Sequence, residues 1–496
     1  MMPLRVAAPD TNVDRLNSMT KRLLPLVALS TAMSTALAGC SMAPTYRVPT
    51  SVAPTAAFKA DPGWAQANPS DAVAKGAWWT LFGDETLDAL EAKVAITNQN
   101  LAYYRASYAQ ALATARVDRA ALLPTVGATI GATRQGAVST SGPASSTFTA
   151  TGTASWAPDL WGSLTNTARA ARANAQASAA ELANATLSAQ GTLATDYFAL
   201  RGIDAQAAML DATLVSYRRS LAITRNKFAA GTASSADVDT ARTTLANAEA
   251  SRRDLDRQRV GYETAIAVLV GENPSAFAIK PMPWRPVVPA VPGVVPSAVL
   301  ERRPDIANAE RLVAAANANI GVQRAAFFPT VSLTAELGTS AASFSSLFGA
   351  ATSAWSLGAS AAQTLLDWGA RSAKVAGARA AYDAAVATYR QTVLSAFQEV
   401  ETDLAGVDGY RAEAVHYHAA SESADRAEAV TRNEYQAGTV DFTTVTTAQA
   451  TAYAARVNLI GNTVNQQNAA VALIQAIGGQ WIGPVELNPS PKPPTN

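Results

Sequence analysis

Arg119-Ala-Ala-Leu-Leu-Pro124-Thr125-Val126-Gly-Ala-Thr-Ile130-Gly-Ala-Thr133 is the stretch where this chain changes its period. Upstream, over residues 86–121, Leu87, Leu90, Val94, Leu101 and Tyr104 share one broad apolar face and predict a helix that Pro124 ends. Downstream, Val126, Ala128, Ile130 and Ala132 alternate with Thr125, Gly127, Thr129, Gly131 and Thr133, which is the period of a strand. A Gly/Ser turn at 139–146 leads to Phe148, Ala150, Gly152, Ala154 and Trp156, which alternate with Thr147, Thr149, Thr151, Thr153 and Ser155. Together they predict a β-hairpin over 124–157 with one apolar and one hydroxyl face.

The same junction occurs twice. Arg324-Ala-Ala-Phe-Phe-Pro329-Thr-Val331 repeats it 205 residues on and opens a second hairpin over 329–365. There Val331, Leu333, Ala335 and Leu337 face one way, followed by Trp355, Leu357, Ala359 and Ala361. Phe228-Ala-Ala-Gly231-Thr returns as Tyr435-Gln-Ala-Gly438-Thr, 207 residues on. Asp159-Leu-Trp161-Gly162 and Asp367-Trp368-Gly369 keep that same 207 at Trp and Gly. A period held over so long a span means one structural unit built twice. In each copy a proline-free helical run follows the hairpin, Ser163–Ala229 and Ala370–Gln436, each of 67 residues. At about 1.5 Å per residue either run spans roughly 100 Å. Both end at a glycine, Gly231 or Gly438, suited to the left-handed position after a helix. Return helices follow at Ser234–Val270 and Asp441–Ile477. The first repeat thus occupies 78–280 and the second 299–482, with a stiff Pro-rich connector at 281–298 and a Pro-rich tail at 483–496.

With 39 basic and 38 acidic residues the chain carries no bulk charge that would favour nucleic acid. Its amino terminus reads as an address. Lys21 and Arg22 precede an apolar, Ser/Thr-punctuated core, Leu23 to Leu37, closed by Leu37-Ala38-Gly39-Cys40. Residues 1–39 are therefore expected to be a signal peptide, with Met19 a plausible start and 1–18 an upstream extension. The tetrapeptide resembles the bacterial lipobox, and Cys40 is the only cysteine in the chain. Cys40 is expected to be acylated, with residues 40–77 as a tether and Ser41 implying the outer rather than the inner membrane.

Four strands cannot close a barrel, because the smallest membrane barrels have about 8, and open edges are not tolerated in lipid. Either the strands form a soluble sheet or several chains pool them. Secretion, the lipid anchor and cleanly alternating faces favour pooling. Trp156, Trp161, Trp355, Trp368, Phe327 and Phe328 cluster at strand ends, where an aromatic girdle would lie. Long Ala-rich helices bury little surface singly; side by side in a ring they line a tube.

Here the sequence resembles the TolC family of outer-membrane efflux channels, particularly its lipid-anchored, NodT-type members. The resemblance rests on Trp78-Trp79-x-x-Phe82-x-Asp84 and, above all, Leu300-Glu-Arg-Arg303-Pro304-Asp305-Ile306-x-x-Ala309-Glu310. That run continues through Ala315, Ala318, Ile320 and Gly321 to Phe328-Pro329. It implies an α+β membrane protein and a homotrimer, with a 12-stranded β-barrel (4 strands per chain) continued by a long periplasmic α-helical barrel. It also implies the exit duct of a tripartite pump in the outer membrane of a Gram-negative bacterium. The duct would work with a periplasmic adaptor (membrane fusion protein) and an inner-membrane transporter of RND, ABC or MFS type. No cofactor or metal is expected. Carried over by position, the adaptor-contacting tips are Gly231, Thr232 and Ala233, and Gly438, Thr439 and Val440. Several relatives narrow the entrance with a Leu five residues after the second tip glycine and an Asp nine after it. This chain has Thr443 and Thr447 there, with Asp441 and Asp237 nearby, so its constriction is expected to be less cation-selective. Glu336, on the hydroxyl face of its strand, is expected in the barrel lumen or as a solvated rim charge.

Catalysis has little support. The only histidines, His416 and His418, lie two apart on a helix and do not share a face. A structural coiled-coil lipoprotein would explain the helices and the anchor, but not alternating strands placed identically in two repeats. A type I-like protein secretion duct uses the same architecture and stays open as an alternative to small-molecule efflux.

Overall fold

Four antiparallel strands lie in the order β1-β2-β3-β4: β1 Thr125–Gln135, β2 Ser145–Trp156, β3 Thr330–Ala341 and β4 Ser353–Ala362. They belong to a computed structural model that describes residues 41–50, 76–136, 144–289 and 303–479. The helices are α1 Glu85–Thr97, α2 Gln99–Ala120, α3 Ser163–Ala229, α4 Ser235–Leu269, α5 Pro304–Ala325, α6 Ala370–Ala437 and α7 Phe442–Ala476. Cys40, the proposed signal peptide and the tail lie outside the described residues. The chain divides into two compact units, and neither is one repeat. The first is Met1–Val48, Ala111–Asn174 and Val313–Ala385; the second is Pro49–Gln110, Ala175–Leu312 and Val386–Asn496. Each draws on both copies, because the copies pair with each other rather than closing on themselves.

In the first unit this pairing is explicit. β2 and β3 run from Phe148↔Ala341 to Trp156↔Leu333, so the hairpins of the two copies form one sheet. The turn before each prolyl strand is built identically. Leu122 and Leu123 donate their amides to Arg119 and Ala120 carbonyls, and Phe327 and Phe328 donate to Arg324 and Ala325. Asp159 then caps α3, accepting from the amides of Leu164 (3.1 Å) and Thr165 (2.6 Å). Ala170 and Ala173 of α3 pack on Ala315 and Ala318 of α5, a contact that small side chains make close. Residues directly after Cys40 lie on these helices rather than hanging free. Ser41 Oγ donates to Asn166 (3.0 Å), and Asn317 donates to the Pro44 carbonyl (2.9 Å).

The second unit corrects one expectation. Residues 86–121 are not a single helix but α1 and α2, broken at Asn98, which is extended (φ −63°, ψ 121°). Asn98 is the reason. Its side-chain oxygen accepts from the Leu101 amide (3.0 Å), and its amide group donates to the Leu269 carbonyl at the end of α4 (2.8 Å). An asparagine that caps the second helix and ties it to a distant one outcompetes the continuous helical pattern. Asp84 caps α1 and also accepts from Tyr197 OH (2.7 Å), while Phe82 packs on Phe198 at 4.8 Å.

Two ionic clusters in this unit centre on buried arginines. Arg201 donates to Tyr197 OH (2.9 Å) and the Lys280 carbonyl (3.0 Å) and pairs with Asp204 (3.3 Å), which also pairs with Arg259 (2.7 Å). Arg303 grips Asp305 (2.7 Å), Glu399 (2.6 Å) and the Ala476 carbonyl (2.9 Å), joining α5, α6 and the end of α7. Such pairs are favourable only when fully hydrogen-bonded, and their specific geometry fixes the register of the helices. Glu91 differs. It is fully buried on α1, its carboxyl oxygens have no hydrogen-bond partner among the described residues, and burial, aided by Asp88, pushes its carboxyl up to about 9.

Two outcomes follow. Since the folded state holds the Glu91 proton more tightly than the unfolded chain, stability is full below the ordinary value of 4.5 and declines as pH rises toward 9. Glu91→Gln should therefore leave the unfolding midpoint unchanged near pH 4 and raise stability by roughly 3 kcal/mol at pH 7. Asn98→Ala should cost about 1–2 kcal/mol in the same thermal unfolding measurement.

Candidate functional site: the sheet wall and the helical tips

The register sorts every strand residue onto one of two faces, since residues paired across antiparallel strands share a face. Val126, Ala154, Ala335 and Leu357 form one row, and Ala128, Gly152, Leu337 and Trp355 the next. On the other face Thr125, Ser155, Thr334 and Gly358 are aligned, and Thr129, Thr151, Gly338 and Ala354 follow. Both rows of each kind run unbroken across the junction between copies. The apolar face is bare: Ile130 is 79% and Trp355 75% exposed, and Val126, Leu337 and Leu357 are similarly open. Leaving such side chains in water forgoes about 1.5–3 kcal/mol each. The outer edges of β1 and β4 are also unpaired among the described residues.

Hydrocarbon on one side and further strands at both edges satisfy this sheet. The twelve residues of β3, at about 3.3 Å each and tilted about 40°, rise roughly 30 Å, enough to cross the ~25 Å apolar band of outer-membrane barrels. No helix among the described residues is long and apolar enough to cross a membrane. Glu336 is exposed on the hydroxyl face in the row of Gly127, Thr153 and Ser356, away from the apolar rows.

The tips belong to the second unit. α3 ends in a left-handed glycine, Gly231 (φ +72°), with Thr232 amide and hydroxyl both donating to the Lys227 carbonyl (2.8 and 3.1 Å). α6 ends the same way at Gly438 (φ +82°), with Thr439 donating twice to the Glu434 carbonyl (3.0 Å for each). A side chain at either glycine would meet open space but a strained backbone, so conformation alone requires glycine there. Gly231, Thr232, Gly438 and Thr439 are exposed, while Ala233 and Val440 are half-buried and Val440 packs against a small core beneath the tips.

That core is what the sequence reading missed. Tyr435, Phe442, Val445, Leu221 and Ala241 are buried together, and Tyr435 lies 5.3 Å from Phe442 between ring centroids. Tyr435 OH bonds with Thr224 Oγ1 (3.2 Å), and Lys227 donates to the Tyr435 carbonyl with its ammonium 4.0 Å from the ring centroid. Lys227 and Tyr435 fasten the first tip to the second. The signal was present in the repeat, which pairs Phe228 with Tyr435 and so marks the second copy as carrying the added hydroxyl.

The four constriction candidates divide in two. Asp237 and Asp441 are cap residues. Asp237 completes a capping box with Ser234 (2.8 and 3.1 Å), and Asp441 accepts from the Thr444 amide (2.9 Å) and hydroxyl (2.7 Å). Those bonds, the amide first, hold the Asp441 carboxyl below the usual carboxylate range. Thr443 and Thr447 are exposed, but Thr447 turns its hydroxyl back onto the Thr443 carbonyl (2.9 Å). Among the described residues no group of three or more His, Cys, Asp or Glu is placed to hold a metal ion.

Comparison with known proteins places this arrangement. The profile of the family described as "Outer membrane efflux protein" matches residues 91–272 and 295–479. Outer membrane protein OprJ of Pseudomonas aeruginosa is 33% identical over 465 residues, 90% of this chain and 94% of that protein. The probable efflux pump outer membrane protein TtgC of Pseudomonas putida is 30% identical over 479 residues, 93% of this chain and 96% of its own. Among solved structures, the outer-membrane channel OprN superposes with a TM-score of 0.80 at 28% identity, over 89% of this chain and 100% of that one. The open-state MtrE channel of Neisseria gonorrhoeae gives 0.77 at 26% identity, over 89% and 98%.

The two faces of the sheet predict opposite responses to charge. Ile130→Lys should sharply lower the amount of trimer recovered from outer membranes, at a cost of about 2–4 kcal/mol for a lysine at mid-bilayer. Thr151→Lys, on the hydroxyl face, should leave trimer yield near wild type; equal losses for both would refute the assignment of faces.

Proposed function

This chain belongs to the outer membrane efflux protein family, and from that premise we propose how its parts share the work. It is the outer-membrane channel component of a tripartite efflux system, a homotrimeric exit duct that extends into the periplasm. It works with a periplasmic adaptor and an inner-membrane transporter, and the transporter supplies the energy. The duct itself catalyses no reaction. The observation that carries this reading is the four-stranded sheet with one bare apolar face, one hydroxyl face and two open edges. Three such sheets give 12 strands, enough for a closed wall whose hydroxyl face surrounds the lumen. In that wall Glu336 is a lumenal charge, and Cys40 carries the acyl anchor.

The exposed tip residues Gly231, Thr232, Gly438 and Thr439 are the adaptor contacts, with Ala233 and Val440 beneath them. Because the Leu and Asp positions of relatives are Thr443 and Thr447, the entrance lacks their apolar ring and their acidic ring, and the charge near it belongs to Asp237 and Asp441, whose carboxylates are oriented by helix caps. The substrates are small molecules. Relatives named for antibiotic, toluene and pyoverdine export span very different chemistries on this scaffold, and hydroxyl-lined walls recognise none of them specifically.

Deleting the chain's gene should sensitise its host to several compounds in a panel of antibiotics, organic solvents and metal chelates, with complementation restoring growth. Purified protein should conduct ions in planar bilayers, and a fibre-like lipoprotein would not. Strong cation selectivity that disappears in Asp441→Asn would overturn the weakly charged entrance. Photocrosslinkers at Thr232 and Thr439 should capture the adaptor; capture of exported polypeptide instead would favour protein secretion.

A further inference from the structure

The two copies make the same turn out of the sheet with different results. In the first copy, Trp161 lies parallel to Phe328 (ring centroids 4.6 Å, planes 20° apart) and its indole N–H donates to the Pro329 carbonyl (2.7 Å). The exit of β2 is thereby locked onto the entrance of β3. Its repeat mate, Trp368 at the exit of β4, is 90% exposed. Phe328 and Pro329 have mates too: Leu123 and Pro124, at the entrance of β1, and Leu123 is 65% exposed. Half of a second lock therefore stands at each open edge of the sheet, with β2 and β3 between them.

The backbone adds an independent mark. The second copy has one residue fewer between its capping aspartate and its tryptophan, Asp367-Trp368-Gly369 against Asp159-Leu-Trp161-Gly162. Asp367 still holds the helix start, accepting from the amides of Gly369 (3.2 Å) and Arg371 (3.0 Å). Trp368 absorbs the shortening by taking φ 51°, and among the described residues it is the one non-glycine with positive φ. A large ring held in a backbone region that side chains rarely adopt, and turned to solvent, is a geometry maintained for a contact.

We propose that Trp368 of each protomer closes the trimer by lying over Leu123 of the next protomer and donating its indole N–H to that protomer's Pro124 carbonyl. The occupant of this surface is a second copy of the chain, for three reasons. The template is already realised inside one chain between corresponding residues. The two halves sit on the two edges that a ring must join. A heterologous contact of this kind closes on itself in a cyclic oligomer. The inference rests on the trimeric reading and adds the residues that fasten its seams.

The test uses the full-length chain in outer membranes. Because Cys40 is the only cysteine, thiols can be placed at will. Leu123→Cys with Trp368→Cys, treated with a short bismaleimide, should give linked dimers and trimers on a denaturing gel. Trp161→Cys with Phe328→Cys should link only within the monomer, showing that the reagent spans this geometry. Trp368→Ala and Leu123→Ala should each lower the temperature at which the trimer dissociates in detergent, and the double variant should lose no more than the larger single loss. Trp368→Phe, keeping the ring without the N–H, should fall between. Wild-type trimers with unlinked Leu123/Trp368 cysteines, or Trp368→Ala trimers that dissociate like wild type, would overturn the lock alone. A wild-type chain that is monomeric in the membrane would instead remove the trimer on which it rests.

Discussion

A sheet that is apolar on one face and unpaired at both edges has no stable state as a single chain, and everything else in this molecule follows from that. Open edges expose rows of backbone donors and acceptors, which lipid cannot satisfy and which in water invite mispairing. The exposed Ile130 and Trp355 face adds a second penalty of the same sign. Only closure with other copies, with hydrocarbon outside, removes both. The threonine- and serine-rich opposite face then encloses a wet passage, because side chains alternate strictly along each strand.

The duplication supplies closure cheaply. Inside one chain, β2 of the first copy already pairs with β3 of the second, and Trp161 already rests on Phe328. The joint between chains has only to repeat a joint within the chain. Departures from exact repetition mark specialised places. The lost residue before Trp368 goes with its positive φ, and the exchange of Phe228 for Tyr435 gives the second tip the hydroxyl that bonds Thr224. In the second unit, the ion pairs of the buried Arg201 and Arg303 do a different task. Ala-rich helices slide easily over one another, and a fully bonded guanidinium reaching an acid on one helix and a carbonyl on another forbids the slide.

At the tips, two of the constriction candidates also hold helix starts. Asp237 accepts from the Ser234 amide and Asp441 from the Thr444 amide. A carboxylate that caps a helix can still contribute field, but its orientation is set by the cap. The Lys227–Tyr435 contact also ties the two helical turns of one chain together, so they move as one body unless it breaks.

Much of this was legible without coordinates. The switch from helical to alternating period at Pro124 and Pro329, the proline-free runs and the repeat offsets identified strands, long helices and a duplicated unit, because these are local consequences of side-chain periodicity. Local pattern could not foresee the break at Asn98, since its cause is the Leu269 carbonyl 171 residues away. Nor could it foresee that the compact units would cut across the repeats, that Tyr435 would anchor a core beneath the tips, or that Trp161 and Trp368 would meet opposite fates. The sequence by itself determined which faces are apolar and where the chain turns, as those depend on neighbours along the chain. Only the tertiary structure decided which strands pair, which carboxylates serve as caps and which tryptophan is packed and which exposed, because those depend on what arrives from elsewhere in space.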